Sequence, residues 1–319
     1  VYKRQESGRF FSIDGLEVET NWGGTPRWQQ PIINQPEIGI LGILAKEVDG
    51  VLHLLMQAKV EPGNINHVQV SPTLQATKSN YTRIHQGKEP RYLKEFLAPG
   101  ARVLLDQLQS EQGARFLRKR NRNIVIEVEK EPEPHEDFTW MTLGQLKTLL
   151  LEDNMVNMDT RTVISGLDYG TLDQKGQLAS LPHLACEMNE FCGKPALEMT
   201  GLLSWLTRMK TEYELTLTPR NIDELDGWEI RPDEIAHHDN RFFSVIGTHI
   251  HISSREATHW DQPMIQPKQD GLIAFLLKKF DGVYHFLIQA KVECGNFDTV
   301  EIAPTVQCLT GGLVGEIPF

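Results

Sequence analysis

The sequence predicts an α+β chain built from two homologous units, and three observations carry that reading. First, DGVLHLLMQAKVEPGNINHVQVSPTLQ (Asp49–Gln75) returns 232 residues later as DGVYHFLIQAKVECGNFDTVEIAPTVQ (Asp281–Gln307), with sixteen of 27 positions identical and no gap. Phe10–Ser12, Trp28, Gln30-Pro31 and Gly39 likewise recur at Phe242–Ser244, Trp260, Gln262-Pro263 and Gly271. A period of this length signals tandem domains, not stacked short repeats. Second, both copies alternate apolar and polar residues around Asp-Gly, the pattern of a β-hairpin. Third, leucines at helical spacing lie between the copies.

The elements follow in order. Ile38–Val48 and Leu272–Phe280 are strand-sized apolar runs ending at Asp49-Gly50 and Asp281-Gly282. In the next strand Leu52, Leu54, Met56, Ala58 and Val60 fall on one face, with His53, Gln57, Lys59 and Glu61 on the other. The second copy repeats this with Tyr284, Phe286, Ile288, Ala290 and Val292 against His285, Gln289, Lys291 and Glu293. Gly63-Asn64 and Gly295-Asn296 then read as turns needing positive φ. The following strands hold Pro72 and Pro304, which suggest an edge or a bulge. Val103–Leu108 and Ile124–Val128 close the first unit, with SEQGARF (Ser110–Phe116) between them. The Pro- and acid-rich stretch Glu129–Phe138 reads as a linker. Thr142-x-x-Gln145 is a capping-box signature, and Leu197–Met209 reads as a second helix. The expected division is 1–130, a helical linker region over 131–215, and 216–319.

Composition narrows the function. Hydrophobic content of 40% and charged content of 24% fit a soluble globular protein, and a net charge of −11 argues against a nucleic-acid or anionic-membrane binder. No apolar run approaches the roughly 20 residues of a membrane span. Cys186, Cys192, Cys294 and Cys308 show no C-x-x-C spacing, so reduced cytoplasmic thiols are the reading. Subtracting one copy from the other suggests that about 35–45 residues of the second unit lie outside this chain.

A solvent-facing strand has no need to keep its polar identities, yet Gln-x-Lys-x-Glu survives duplication. A ligand pocket is the favoured reading; a polar network that merely holds the strand is the alternative. Gln57, Lys59 and Glu61, like Gln289, Lys291 and Glu293, point one way over a span of ~13 Å. Thr73 and Gln75, with Thr305 and Gln307, lie on the adjoining strand. Trp28 and Trp260 suit either a core or stacking on a base or sugar. After the first copy Lys78, Asn80, Tyr81, Arg83 and His85 offer donors to a phosphate or sugar, Arg being suited to bidentate contact. His249 and His251 share a strand face, but the first copy has Glu17 and Glu19 there, so no metal site is expected. No dinucleotide fingerprint, P-loop or nucleophile elbow occurs.

WMTLGQLKTLL (Trp140–Leu150), NMDTRTVIS (Asn157–Ser165), SWLTRMKTEYEL (Ser204–Leu215) and the twin QAKVE elements resemble the NDP-hexose 2,3-dehydratases of deoxysugar and antibiotic biosynthesis. The resemblance spans essentially the whole chain. It implies two tandem Nudix-like α/β/α modules with mixed sheets, a homodimer, a dTDP-sugar substrate and a downstream 3-ketoreductase. It also implies one active site per subunit, the other being a relic of duplication. The Glu-rich helix that holds magnesium in Nudix hydrolases is missing, which disfavours diphosphate cleavage and implies no metal and no cofactor. The implied reaction needs a base at C3, a donor for the C4 oxygen and an acid at the C2 oxygen. Glu61 or Glu293 suits the base, Lys59 or Lys291 the donor or acid, and Gln57 or Gln289 the orienting group. Tyr81 and His85 are rival acid–base groups. A silent nucleotide-sugar binder and a Nudix-type pyrophosphatase are the competing functions.

Overall fold

A computed structural model describes residues 11–78, 89–167, 195–252 and 258–310. It is a mixed α/β chain, mostly strands with few helices. Strand β1 (Ser12–Thr20) and β2 (Arg27–Asn34) form a hairpin, followed by β3 (Gly39–Val48), β4 (Val51–Val60), β5 (Val68–Ser71) and β6 (Leu74–Ala76). The Asp49-Gly50 turn joins β3 to β4 with φ of 50° and 77°, the double positive φ that a type I′ hairpin demands. Asp281 and Gly282 repeat it at 47° and 87°.

The second copy reproduces the first strand by strand. β13 (Phe243–His251) and β14 (His259–Pro267) pair Ser244 with Gln266, as Ser12 pairs with Asn34. Between the copies come β7 to β12, and after β14 come β15 (Gly271–Ala274), β16 (Leu276–Phe280), β17 (Val283–Lys291), β18 (Glu301–Pro304) and β19 (Val306–Leu309).

The prolines mark a split in the sheet. β3 and β4 pair as far as Leu44 and Leu55, then diverge; β5 continues alongside β4 and β6 alongside β3. Pro72-Thr73 sits at the fork. The Thr73 hydroxyl accepts from the Leu44 N–H at 3.0 Å and donates to the Leu55 carbonyl, closing the ladder where the strands part. Thr305 does the same with Leu276 N–H (3.0 Å) and the Leu287 carbonyl. A residue without an N–H followed by a hydroxyl that both donates and accepts is what this vertex needs. Duplication therefore preserved Pro-Thr for architecture.

In the first unit, β3 also pairs in parallel with β8 (Arg120–Glu127), which pairs with β7 (Arg102–Ser110). The sheet is buried on both faces. Leu44, Leu55 and Ile124 pack beneath the short helix α1 (Leu93–Leu97) through Leu93 and Phe96. Ile43, Leu54 and Met56 pack against α2 (Leu143–Leu149) and α3 (Met158–Ser165) through Leu146, Val163 and Ile164. The one-sided apolar face expected of β4 is thus corrected: Leu55 is 4% exposed, while Ala58 is exposed. A sheet covered by helices on both sides does not alternate.

The stretch read as a linker completes this unit. β9 (Phe138–Thr142) pairs with β4, the Glu133 carbonyl accepts from the Tyr92 hydroxyl at 2.6 Å, and Lys46 pairs with Glu131 at 3.1 Å. The capping box is present as predicted: Gln145 N–H donates to Thr142 Oγ1 and Thr142 N–H to Gln145 Oε1. Helix α4 (Met199–Glu212) and β10 (Leu215–Arg220) lead back to the first copy, β10 pairing with β1. β11 (Trp228–Ile230) and β12 (Glu234–His237) then enter the β13–β14 sheet. Ile13 of β1 shares a core with Trp228 and Phe243, and Val18 one with Cys294.

Candidate functional site

Each copy ends its long strand in the same side-chain cluster. Lys59 Nζ lies 3.7 Å from Glu61 Oε1, which accepts from Gln75 Nε2 at 2.7 Å. Lys291 Nζ lies 3.6 Å from Glu293 Oε1, which accepts from Gln307 Nε2 at 3.1 Å, and Lys291 also donates to the Gln307 carbonyl at 2.9 Å. Lys59 is 7% exposed and Lys291 13%, so this is not a solvated strand face. The clusters differ in what lies over them. In the first, the Asn157 amide at the N-cap of α3 donates to Glu61 Oε2 (3.4 Å) and to Gln75 Oε1 (3.3 Å). In the second, Glu293 and Gln307 border a cavity of about 240 Å³.

That cavity lies where the two copies meet. Glu293, Asn296, Glu301 and Gln307 form one wall. Asp159 and Thr162 of α3, with Glu111, Asn121 and Asn123 from β7–β8 and their connection, form the other. The seam beside it is tight. Gly295 N–H donates to the Gly113 carbonyl at 2.7 Å, and the Gly295 carbonyl accepts from Arg118 N–H at 2.7 Å. A Cβ on Gly295 would stand 1.8 Å from the Phe116 carbonyl oxygen, and one on Gly113 2.0 Å from Asn296 Oδ1. Gly295 is thus required for close approach, whereas Gly63, at φ 94°, is required for its turn. Ser110 Oγ donates to Glu301 Oε1 at 2.6 Å across the same seam.

The cavity is polar and charged. Burial, reinforced by Glu111 and Glu61, pushes the Asp159 carboxyl up to about 7 against the opposing pull of Lys59 and Lys119. Burial lowers the Lys119 ammonium, whose hydrogen goes to the Glu37 carbonyl. Asn123 is fully buried, and neither its Nδ2 nor its Oδ1 has a hydrogen-bond partner. Buried amides are rarely left without partners, and this one is placed to bond a water or a polar ligand in the cavity.

The remaining predicted residues fall as follows. Trp28 Nε1 donates to Gln30 Oε1 (2.9 Å) and Trp260 Nε1 to Gln262 Oε1 (2.8 Å), so each indole N–H is engaged within its own strand. Trp28 packs beside Cys294, whose thiol burial pushes up to about 12. Gln289 donates to the Pro304 and Thr305 carbonyls at 2.8 and 3.2 Å, and Gln57 sits half-buried on β4. Thr73 and Thr305 are committed to the sheet fork. Asn80, Tyr81, Arg83 and His85 lie outside the described residues. Sequence comparison between copies missed Asp159, Glu111 and Asn123, which occupy elements the second copy does not repeat. Asp159 does fall within the quoted NMDTRTVIS segment.

Among the described residues, His237, His238 and Asp239 bring metal-capable atoms within 4.8 Å of one another, but none of them borders the cavity. His249 pairs with Asp261 across the β13–β14 hairpin at 2.6 Å. No described helix is long and apolar enough to cross a membrane.

Comparison with known proteins bears on the family of the chain. The profile of the family described as NDP-hexose 2,3-dehydratase matches residues 2–167 and 199–314. The chain is 49% identical over 311 residues to a dTDP-4-dehydro-6-deoxy-alpha-D-glucopyranose 2,3-dehydratase of Saccharopolyspora spinosa, covering 94% of this chain and 63% of that protein. It is 49% identical over 319 residues to the enzyme of that name from Streptomyces violaceoruber, covering 99% and 70%. The Amycolatopsis orientalis counterpart is 44% identical over 308 residues, covering 95% and 61%. This chain therefore spans less than two thirds of the Saccharopolyspora protein. Among solved structures, a complex of the C-terminal domain of mouse MUTYH with human PCNA aligns at 10% identity and a TM-score of 0.26, over 46% of this chain and 94% of that one, too low to bear on the fold.

Proposed function

Because the chain belongs to the NDP-hexose 2,3-dehydratase family, we propose that it eliminates water across C2–C3 of a dTDP-4-keto-6-deoxyhexose, at the cavity bordered by Glu293. The observation that carries this choice of site is the difference between the clusters. Glu61 and Gln75 are clamped by Asn157, whereas Glu293 and Gln307 open onto the cavity. The first cluster is then the relic and the second the working copy.

The chemistry follows from the substrate class. The C4 ketone acidifies the C3 proton, and Glu293 removes it; the electron pair of the C–H bond passes to the C4 oxygen as an enolate. Collapse of the enolate restores the C4 carbonyl, forms the C2–C3 double bond and breaks the C2–O bond, the oxygen leaving as water once protonated; the C3 enol so formed takes a proton from solvent at C2 and gives up its hydroxyl proton to become the 3,4-diketone. Atoms and charge balance without electron transfer. Lys291, held between Glu293 and the Gln307 carbonyl, supplies positive charge beside the developing enolate. Asn123 offers both a donor and an acceptor to the sugar.

This reading includes the finer expectations of two tandem Nudix-like modules and of a cytoplasmic homodimer that hands its product to a 3-ketoreductase. The repeated strand order and the helices on both faces of the first sheet support the modular part. The test is incubation with dTDP-4-keto-6-deoxyglucose in deuterated water. Deuterium at C3 of the recovered substrate and appearance of the 2-deoxy-3,4-diketo product, labelled at C2, are the expected results. Tight binding with neither would replace the enzyme by a binding protein, and release of dTMP would replace it by a pyrophosphatase.

A further inference from the structure

We propose that Asp159 is the acid that protonates the departing C2 oxygen, acting across the cavity from Glu293. The inference rests on the dehydratase reading above and assigns its unfilled role. Asp159 stands in the first turn of α3, directly after the residues that clamp the first cluster, and its side chain borders the cavity whose opposite wall holds Glu293 and Gln307. One carboxylate of the site is held by a lysine and a glutamine; the other has been brought among further carboxylates. Two carboxyls placed in such unlike surroundings are suited to opposite proton-transfer roles.

The charged groups around Asp159 come from every wall. Glu111 lies on the connection after β7, Lys59 and Glu61 on and just beyond β4, Lys119 just before β8, and Glu293 and Glu301 on the second copy. A helix N-terminus by itself favours a charged aspartate. Here burial and the neighbouring carboxylates outweigh it, and the group titrates near neutrality, where an acid can both hold and release its proton. The independent sign of a ligand is Asn123, fully buried on the same wall with donor and acceptor both unmet. The hydroxyls of a sugar can satisfy both. In the step itself the C2–O bond breaks heterolytically, the oxygen takes the Asp159 proton and leaves as water, and Asp159 becomes a carboxylate. The proton from C3 remains on Glu293 until exchange with solvent resets both groups.

The experiment separates the base step from the acid step, using the whole chain and dTDP-4-keto-6-deoxyglucose. In Asp159→Asn, exchange of the C3 proton with deuterated water should stay within about threefold of the unsubstituted protein, while elimination falls roughly 10²–10⁴-fold, the usual worth of a general acid. The analogue with fluorine in place of the C2 hydroxyl needs no proton on its leaving group. Fluoride release by Asp159→Asn should therefore lie within about tenfold of the unsubstituted protein, a result that also shows the variant is folded. Asp159→Glu should restore most of the elimination and the loss of rate above neutral pH, which Asp159→Asn lacks. Parental elimination by Asp159→Asn overturns the assignment. So does a parallel fall in exchange and fluoride release, which would make Asp159 a positioning residue. If the unsubstituted protein neither exchanges nor eliminates, the dehydratase reading itself has failed, and the acid role goes with it.

Discussion

The two copies of the repeat share a frame and differ in their cover. In the first, Ile43, Leu44 and Leu54 are fully buried and Leu55 nearly so, beneath α1 on one side and α2 with α3 on the other. Their counterparts Phe275, Leu276, Phe286 and Leu287 are 48, 61, 46 and 57% exposed. Strand register, hairpin turns and the threonine at the fork are nevertheless the same. Backbone hydrogen bonding therefore specifies the frame, and the layers added around it decide what each copy can do. In the first copy the added layer sets the Asn157 amide against the Lys-Glu-Gln cluster. In the second, elements of the first copy's unit stand back from it and leave a cavity.

Several substitutions sharpen or break this contrast. The largest effect should come from Glu293→Gln, which removes the proposed base: elimination should fall by about 10³-fold or more, whereas Glu61→Gln should cost less than about tenfold. Steady-state rates for the two variants decide it, and the reverse order would move the working site to the first copy. Next is Gly295→Ala, whose added methyl meets backbone rather than a side chain; a loss of about 3 kcal/mol is expected in urea unfolding. Gly63→Ala should cost about 1–2 kcal/mol, since its Cβ meets only the flexible end of Met264 and the strain is that of positive φ.

Thr73→Val leaves a buried N–H and a buried carbonyl without partners and should cost about 2 kcal/mol. Thr305→Val, at the same vertex in a wetter setting, should cost about half that. Equal costs would show that the cover does not matter at the fork.

The smallest effect is a pH dependence. Asp159 titrates higher in the folded state than its ordinary 3.8, so the neutral form is the one folding favours. The associated stability is complete below 3.8 and is lost as pH rises through about 7. Asp159→Asn cannot ionise, so its melting temperature should gain on the unsubstituted protein by roughly 2–4 °C between pH 4 and pH 8, followed by calorimetry.

What was legible in the sequence was what local chemistry enforces. Asp-Gly turns require positive φ at both residues, and the Thr142–Gln145 box closes within one helical turn, so both could be read from a few adjacent letters. Comparison of the copies grouped Lys-x-Glu with Gln57 and Gln289 on the same strand; in the structure each glutamate takes its glutamine, Gln75 or Gln307, from the adjoining strand. It misjudged Thr73 and Thr305, because the reason for their identity is a pair of backbone groups 18 and 29 residues away. It passed over Asp159 and Asn123 because only one copy carries them among the described residues. The Glu129–Phe138 stretch looked like a linker for a related reason. Proline and acid content reports local stiffness and solvation, and says nothing of the pairing of β9 with β4 that follows it.

The bare glycines at 113 and 295 have a consequence for how such a chain can change. With no side chain between them, the halves of this duplicated gene product are fused where each supplies a wall of the same chamber. Fission into separate polypeptides would leave neither with both walls of the proposed site.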